Sequence, residues 1–130
     1  VRAWASTAIN PMPDLLLAPV MGIKKVLRQC NLTWRDIDLV EMHEAFAAQV
    51  LATLRHFESS ECVAEFGQLD VESKVNLDGG SIAIGHPFAA TGARLVGHAL
   101  NAMRRRRAGR TLVSACAAGG LGMVVVLERE

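Results

Sequence analysis

Strand-like and helix-like apolar patterns alternate along this chain, and that alternation confines it to an α/β architecture. Val1, Ala3, Ala5, Thr7 and Ile9 stand at every second position, until Asn10-Pro11 and Pro13 stop the run. A helix over about 20–30 follows Pro19, with Val20, Ile23, Val26 and Leu27 on one face, Lys24, Lys25 and Arg28 on the other, and Asn31 as its C-cap. Thr33 and Asp36 have the spacing of a capping box around one helical turn, after which Ile37, Leu39, Val40 and Met42 read as a mostly buried strand. At His43-Glu44 that strand runs directly into a helix over about 45–57, whose apolar positions are Phe46, Val50, Leu51, Leu54 and Phe57. Residues 58–74 read as an irregular excursion with one helical turn. Beyond the glycine-rich stretch 76–85, a helix over about 91–107 turns Leu95, Val96, Ala99, Leu100 and Met103 inward. It closes on Arg104, Arg105, Arg106 and Arg107, where cations suit the exposed carbonyls. Two strands, 111–115 and 123–128, flank a glycine turn over 116–122. The predicted order is β-α-β-α-β-α-β-β, a mixed five-stranded sheet, largely parallel, closed by an antiparallel hairpin and covered by helices.

Composition narrows the function classes. With 51% hydrophobic and 21% charged residues in 130, the chain has enough apolar surface for one core, and no repeat or linker divides it, so a single domain over 1–130 is expected. Fourteen basic against thirteen acidic residues leave a formal charge of +1, too little to draw the chain to nucleic acid or an anionic membrane. No stretch approaches the ~20 apolar residues of a membrane span, and no export signal is visible. Cys30, Cys62 and Cys116 are odd in number and far apart, which suits neither a disulfide framework nor paired zinc knuckles and points to a reducing, intracellular setting. The first residue is Val rather than Met, so the chain reads as a fragment or a processed product.

Three constellations are able to carry chemistry. In Asn76 to Gly92 a glycine-rich loop precedes a helix, yet it lacks the Lys-Ser/Thr pair of a P-loop and the spacing of a dinucleotide turn. What stands out is His86, held between Gly85 and Pro87: glycine lets a substrate approach the backbone, and proline fixes the attachment of the ring. Cys116 begins C-A-A-G-G-L-G at the end of an apolar strand. A buried structural thiol is the plainer account, but the small neighbours leave the sulfur uncrowded, and beside an imidazole it either attacks a carbonyl or trades a proton with a carbon acid. The residues alone favour the nucleophile. At the strand-to-helix junction, His43 either binds a water or faces solvent, and Glu44 either stabilises a helix start or takes part in chemistry. Trp4 and Trp34 read as packing residues, Cys30 and Cys62 as inert, and the arginine run with Arg110 as a solvated helix end. His56 and His98 lack partners at metal-ligand spacing, so no metal site is expected.

In the order His43-Glu44-Ala45-Phe46-Ala47-Ala48-Gln49, then Gly79-Gly80-Ser81 through Gly85-His86-Pro87, then Cys116 with its glycines, the whole chain resembles the C-terminal half of a thiolase. Ser81, Phe88, Ala117-Ala118, and His43 in place of the family's usual Asn, are most similar to the thiolase subunits of fatty-acid oxidation multienzyme complexes. The resemblance implies CoA-dependent cleavage of a 3-ketoacyl-CoA in β-oxidation, or the reverse Claisen condensation. It implies that the nucleophilic cysteine lies in an N-terminal half absent from this chain, so the chain alone is expected to be inactive. It also reverses the assignment of Cys116, which becomes the acid/base thiol, while His86 activates the missing nucleophile and helps hold an enolate oxygen. His43 takes the place of a residue that positions an oxyanion-hole water, and its charge would follow pH. The backbone at Ala118 and Gly119 is implied for a second oxyanion hole, and Phe46, Ser81, Gly85, Pro87 and Phe88 for substrate binding. No resident cofactor is implied; coenzyme A is a substrate. The implied partners are acyl-CoA, CoA, the N-terminal half, a second copy in a homodimer, and a hydratase/dehydrogenase subunit. The implied compartment is the bacterial cytoplasm, or the mitochondrial matrix side in a eukaryote. Two other readings are a non-catalytic thiolase-like scaffold or partner subunit and a ketoacyl-synthase-like condensing half; Cys116 in its glycine turn speaks against the second.

Overall fold

The computed structural model describes residues 1–129; Glu130, the end of the expected domain, and the side chain of Pro13, in the expected stop after the first strand, lie outside the described residues. The elements are β1 (Ala3–Ala8), a kinked turn α1 (Pro11–Asp14), α2 (Ala18–Cys30), a 3-10 turn Trp34–Asp36, β2 (Leu39–Met42), α3 (Ala47–Phe57), α4 (Ser60–Phe66), α5 (Val71–Lys74), α6 (Ser81–Ile84), α7 (Thr91–Arg106), β3 (Arg110–Ala117) and β4 (Leu121–Glu128). They build one mixed sheet in the order β1-β4-β3-β2, in which β2 and β3 run parallel and the other pairs are antiparallel.

Strand alternation divides the core between two helical layers. Val40, Met42, Leu112, Val124 and Val126 meet Val20, Ile23, Val26 and Leu27 of α2, with Trp34, Phe57 and Phe66 filling in. Leu39, Val113 and Leu127 meet Leu95, Ala99, Ala102 and Met103 of α7. Helices on both faces explain why all four residues of β2 are buried although it lies at the end of the sheet. The contact with α2 is close: a Cβ at Gly22 would fall 2.7 Å from Cγ2 of Val124. Asn31 caps α2 in the left-handed conformation, as its position predicts, and the backbone N–H and hydroxyl of Thr33 both donate to the Asp36 carboxylate at 2.8 Å. Those two bonds hold the Asp36 carboxyl below its usual range.

Among the described residues the sheet has four strands, not five. Where a strand between the second and third long helices was expected, the chain makes one parallel bridge, Val75 to Val40, and then an amide replaces a peptide unit. The Asn76 side chain accepts from the Met42 N–H at 2.7 Å and donates to the Met42 carbonyl at 2.9 Å. Its backbone is left-handed, at φ 47°, so the chain turns away from the sheet at that residue. Asn76→Ala should leave the buried Met42 N–H and C=O unpaired and cost about 2–6 kcal/mol, at roughly 1–3 per orphaned group; a shifted urea midpoint with unchanged slope is the measurement.

Other expectations also shift. The segment 58–74 is ordered: Ser59 caps α4 through Cys62 N–H, Cys62 and Phe66 bury one turn apart, and Gly67 stops the helix at φ 77°. Trp34 is buried edge-on against Phe57 at 5.1 Å, whereas Trp4 is 60% exposed, because it stands on the face of β1 opposite α2. Leu100 is turned outward on α7. In α3 the buried residues are Gln49, Thr53 and Phe57, while Phe46 and Leu51 point to solvent. Cys116 belongs to β3, opposite Gly122, and the turn is confined to Ala118, Gly119 and Gly120.

Candidate active site

Parallel strands bring their carboxyl ends to one edge, and in open α/β sheets that edge collects the chemistry. Here it is formed by β2 and β3. His43 follows β2 directly, its N–H donating to the Ser114 carbonyl at 2.8 Å, and its ring is 2% exposed. Glu44 does not sit at the start of α3. Its carboxylate accepts from the Asn76 side chain at 2.7 Å and from Ile82 N–H at 3.0 Å, tying the loop before α6 to the strand end. Gly80 is required there, since a Cβ would fall inside the Glu44 carboxyl group.

The loop after α6 delivers the second imidazole. Gly85 adopts φ 97°, a conformation that disfavours side chains, with no other atom of the chain within 4 Å of where a Cβ would stand. Ala89 is also left-handed, at φ 64°, which costs roughly 1–2 kcal/mol, and Ala90 and Thr91 N–H groups bonded to the Pro87 carbonyl at 3.1 Å hold it there. Ring centroids of His43 and His86 are 4.3 Å apart, at 48°. Phe88 stands 4.9 Å from His86 and is 84% exposed; with Phe46, at 65%, and Ile82 and Ile84 it makes an exposed apolar rim.

Hydroxyl groups orient both rings. Nδ1 of His43 lies 3.0 Å from Ser81 Oγ, which accepts from Arg94 Nη2 at 2.7 Å. Nδ1 of His86 lies 2.7 Å from Thr91 Oγ1, whose hydroxyl donates to the Pro87 carbonyl at 3.0 Å. With its proton given to that carbonyl, Thr91 accepts from His86 Nδ1–H, and His86 Nε2 keeps a free lone pair, the form a base requires. Thr91 and Arg94 escaped the sequence reading. Their signal is a polar stripe, Thr91, Arg94 and His98, at helical spacing on α7.

Burial first, then the neighbouring His86 and Arg94, push the His43 imidazole below its ordinary value. The neutral ring is therefore favoured. Its contribution to stability is complete above about pH 6.5 and is lost as pH falls from there through the lowered pKa, because the unfolded chain takes up the proton first. His43→Asn should flatten this acid limb, so that urea midpoints measured at pH 7 and pH 5 differ less in the variant than in the parent.

Cys116 comes to the same edge from the other side of the sheet. It pairs with Gly122, where a Cβ would touch Ala18 and Pro19, so by register its side chain is on the α2 face, with Leu112 and Ser114. It is half-buried and makes no hydrogen bond to either imidazole among the described residues. Burial pushes its thiol up, so the sulfur is protonated at neutral pH. The structure thus brings His43, His86, Ser81 and Phe88 together and places Cys116 on the adjacent strand end, without direct contact. Ala118 and Gly119 form the turn beyond it. The arginines in the last turn of α7 are partly tied down: Asp78 receives Arg105 and Arg106, the latter at 2.8 Å, and His98 at 3.2 Å, and its carboxyl falls to about 2. Among the described residues no group of three or more His, Cys, Asp or Glu side chains is placed to hold a metal ion, and no helix is long and apolar enough to cross a membrane.

A family model described as the thiolase C-terminal domain matches residues 1–129. The chain is 47% identical to a 3-ketoacyl-CoA thiolase of Cronobacter sakazakii and 48% identical to one of an Enterobacter species, in each case over 100% of this chain and 31% of the relative. A crystal structure of human mitochondrial 3-ketoacyl-CoA thiolase superposes with a TM-score of 0.85 at 32% identity, covering 99% of this chain and 30% of that one. The chain therefore spans about a third of the length of these curated relatives.

Proposed function

Because the chain belongs to the thiolase family as its C-terminal domain, we propose that it is the acid/base-bearing part of a 3-ketoacyl-CoA thiolase working in β-oxidation. One observation carries the reading: an imidazole with a free Nε2 tilted against a neutral, buried one, at the strand edge where a protonated thiol also arrives. A thiolate nucleophile needs a lowered pKa, and Cys116 has the opposite shift, so its chemistry is proton donation.

The steps follow from that distribution. His86 Nε2 takes the proton of a cysteine thiol supplied by the N-terminal half, and the thiolate adds to the 3-keto carbon. Cleavage of the C2–C3 bond leaves the acyl group on that cysteine and an enolate on the departing acetyl-CoA, whose oxygen is held by imidazole N–H donors. Cys116 protonates C2 of the enolate. The resulting Cys116 thiolate takes the proton of an incoming CoA thiol, which attacks the acyl-enzyme and releases the shortened acyl-CoA, and the freed cysteine thiolate recovers its proton from the His86 imidazolium. Coenzyme A is a substrate throughout, and no resident cofactor enters the proposal.

The N-terminal half has a surface to occupy. Trp4, Leu121, Met123 and Leu100 are exposed beside α7, an apolar face of the kind that marks an interface. A homodimer and a hydratase/dehydrogenase subunit are the further partners we propose, and the cytoplasm the compartment. The test is activity. The 130-residue chain alone should leave acetoacetyl-CoA uncleaved, as read from the enolate absorbance, and should restore turnover when mixed with a thiolase N-terminal half; turnover by the chain alone would remove the division of labour proposed here.

A further inference from the structure

The hydroxyl between His43 and Arg94 has one hydrogen and two neighbours. Arg94 carries donors only, so its Nη2–H must point at Ser81 Oγ across the 2.7 Å contact, and the Ser81 hydrogen remains to be placed. Ser81 is 5% exposed and has no other acceptor among the bonds it makes. If His43 carried its proton on Nδ1, both neighbours would donate to Ser81, and two groups would be left without partners: the Ser81 hydroxyl hydrogen and the bare Nε2 of His43. If the proton is on Nε2, Ser81 donates to Nδ1 and one group is left over, the Nε2–H. Nε2 of His43 is in fact buried without a partner. Orphaned buried polar groups cost roughly 1–3 kcal/mol each, so the arrangement with one prevails over that with two.

We propose that Arg94 is a positioning residue: through Ser81 it fixes His43 in the Nε2–H tautomer, holding one unspent donor for the enolate oxygen of the substrate. The inference rests on the thiolase reading for what the donor meets, but the relay itself stands on the hydrogen-bond count. Its counterpart is the Thr91 relay, which gives His86 the opposite tautomer. Two neighbouring imidazoles, 4.3 Å apart, are thereby made unlike: one offers a proton at Nε2 and the other a lone pair. Burial first, then His86 and Arg94, oppose a second proton on the His43 ring, so the choice left to it is between its two neutral tautomers.

Isotope-labelled histidine in the 130-residue chain reads the tautomer directly by long-range proton–nitrogen correlation at neutral pH. His43 should show a protonated Nε2 and a bare Nδ1, and His86 the reverse. Arg94→Met and Ser81→Ala should each mix or invert the His43 pattern and leave that of His86 as it was. Ser81→Ala removes only an oxygen, which keeps the test open if the loss of Arg94 disturbs folding. A protonated Nδ1 on His43 in the parent chain, or an unchanged pattern in Ser81→Ala, overturns the relay. In an enzyme completed with the N-terminal half, either substitution should lower kcat about a hundredfold, the usual cost of an oxyanion donor, with KM within a few-fold, and Arg94→Lys should recover part of the loss. If the tautomers are as stated but the completed enzyme cleaves nothing, the thiolase reading fails and the relay survives; if it is active with His43 protonated at Nδ1, the reverse holds.

Discussion

His86→Ala, in an enzyme completed by an N-terminal half, is expected to lower kcat/KM for acetoacetyl-CoA about ten-thousandfold, at the upper end for loss of a general base. The size follows from two duties on one ring, since the same Nε2 that deprotonates the nucleophile becomes an N–H donor to oxygen once it holds that proton. The fold should not register the change. His86 is exposed, on a loop whose shape is set by Gly85, Pro87 and Ala89, so the urea midpoint should move by less than about 0.5 kcal/mol in stability, as surface substitutions usually do. A loss of under tenfold would remove His86 from the chemistry.

Cys116→Ala should reduce turnover about a thousandfold, within the usual range for an acid/base group, and in a different manner. Acylation of the partner half's cysteine by a 3-ketoacyl-CoA needs no proton from Cys116 until the C–C bond has broken, so the acyl-enzyme should still form from acetoacetyl-CoA and be seen by mass spectrometry. Failure to acylate at all would assign Cys116 to an earlier step. The raised pKa gives a second readout: the Cys116 thiol should react slowly with iodoacetamide at pH 7 and faster as pH rises, since the thiolate is the reactive form.

Where burial is periodic the elements are legible: β2, α2 and the apolar face of α7 stand close to where Leu39, Val40, Ile23, Leu95 and Ala99 put them. The Thr33–Asp36 pair and the Asn31 cap were legible too, because capping is local chemistry. What escaped depends on contacts between distant residues. No pattern announces that the amide of Asn76 will complete the edge of β2, so a fifth strand was expected where one bridge exists. α3 read as amphipathic with Phe46 and Leu51 inside, yet the neutral Gln49 and Thr53 turn inward, Gln49 reaching back to Ala45 N–H at 3.2 Å. Trp4 was misjudged because alternation tells which residues share a face, not which face is covered. In the candidate site, His86 stood out between Gly85 and Pro87, whereas roles for His43 and Ser81 came only through the resemblance of their motifs to a family. Arg94 and Thr91 were not, since each acts through a hydroxyl that only the folded chain brings within reach.

The Asn76 clamp ties together two things that are far apart in sequence. By holding Met42 on one side and Glu44 on the other, it fastens the strand end bearing His43 to the root of the loop bearing His86. Slow amide exchange at Met42 would therefore report on both rings at once. When that fastening opens, both reactive centres are loosened together, and when it closes they are drawn back as one unit.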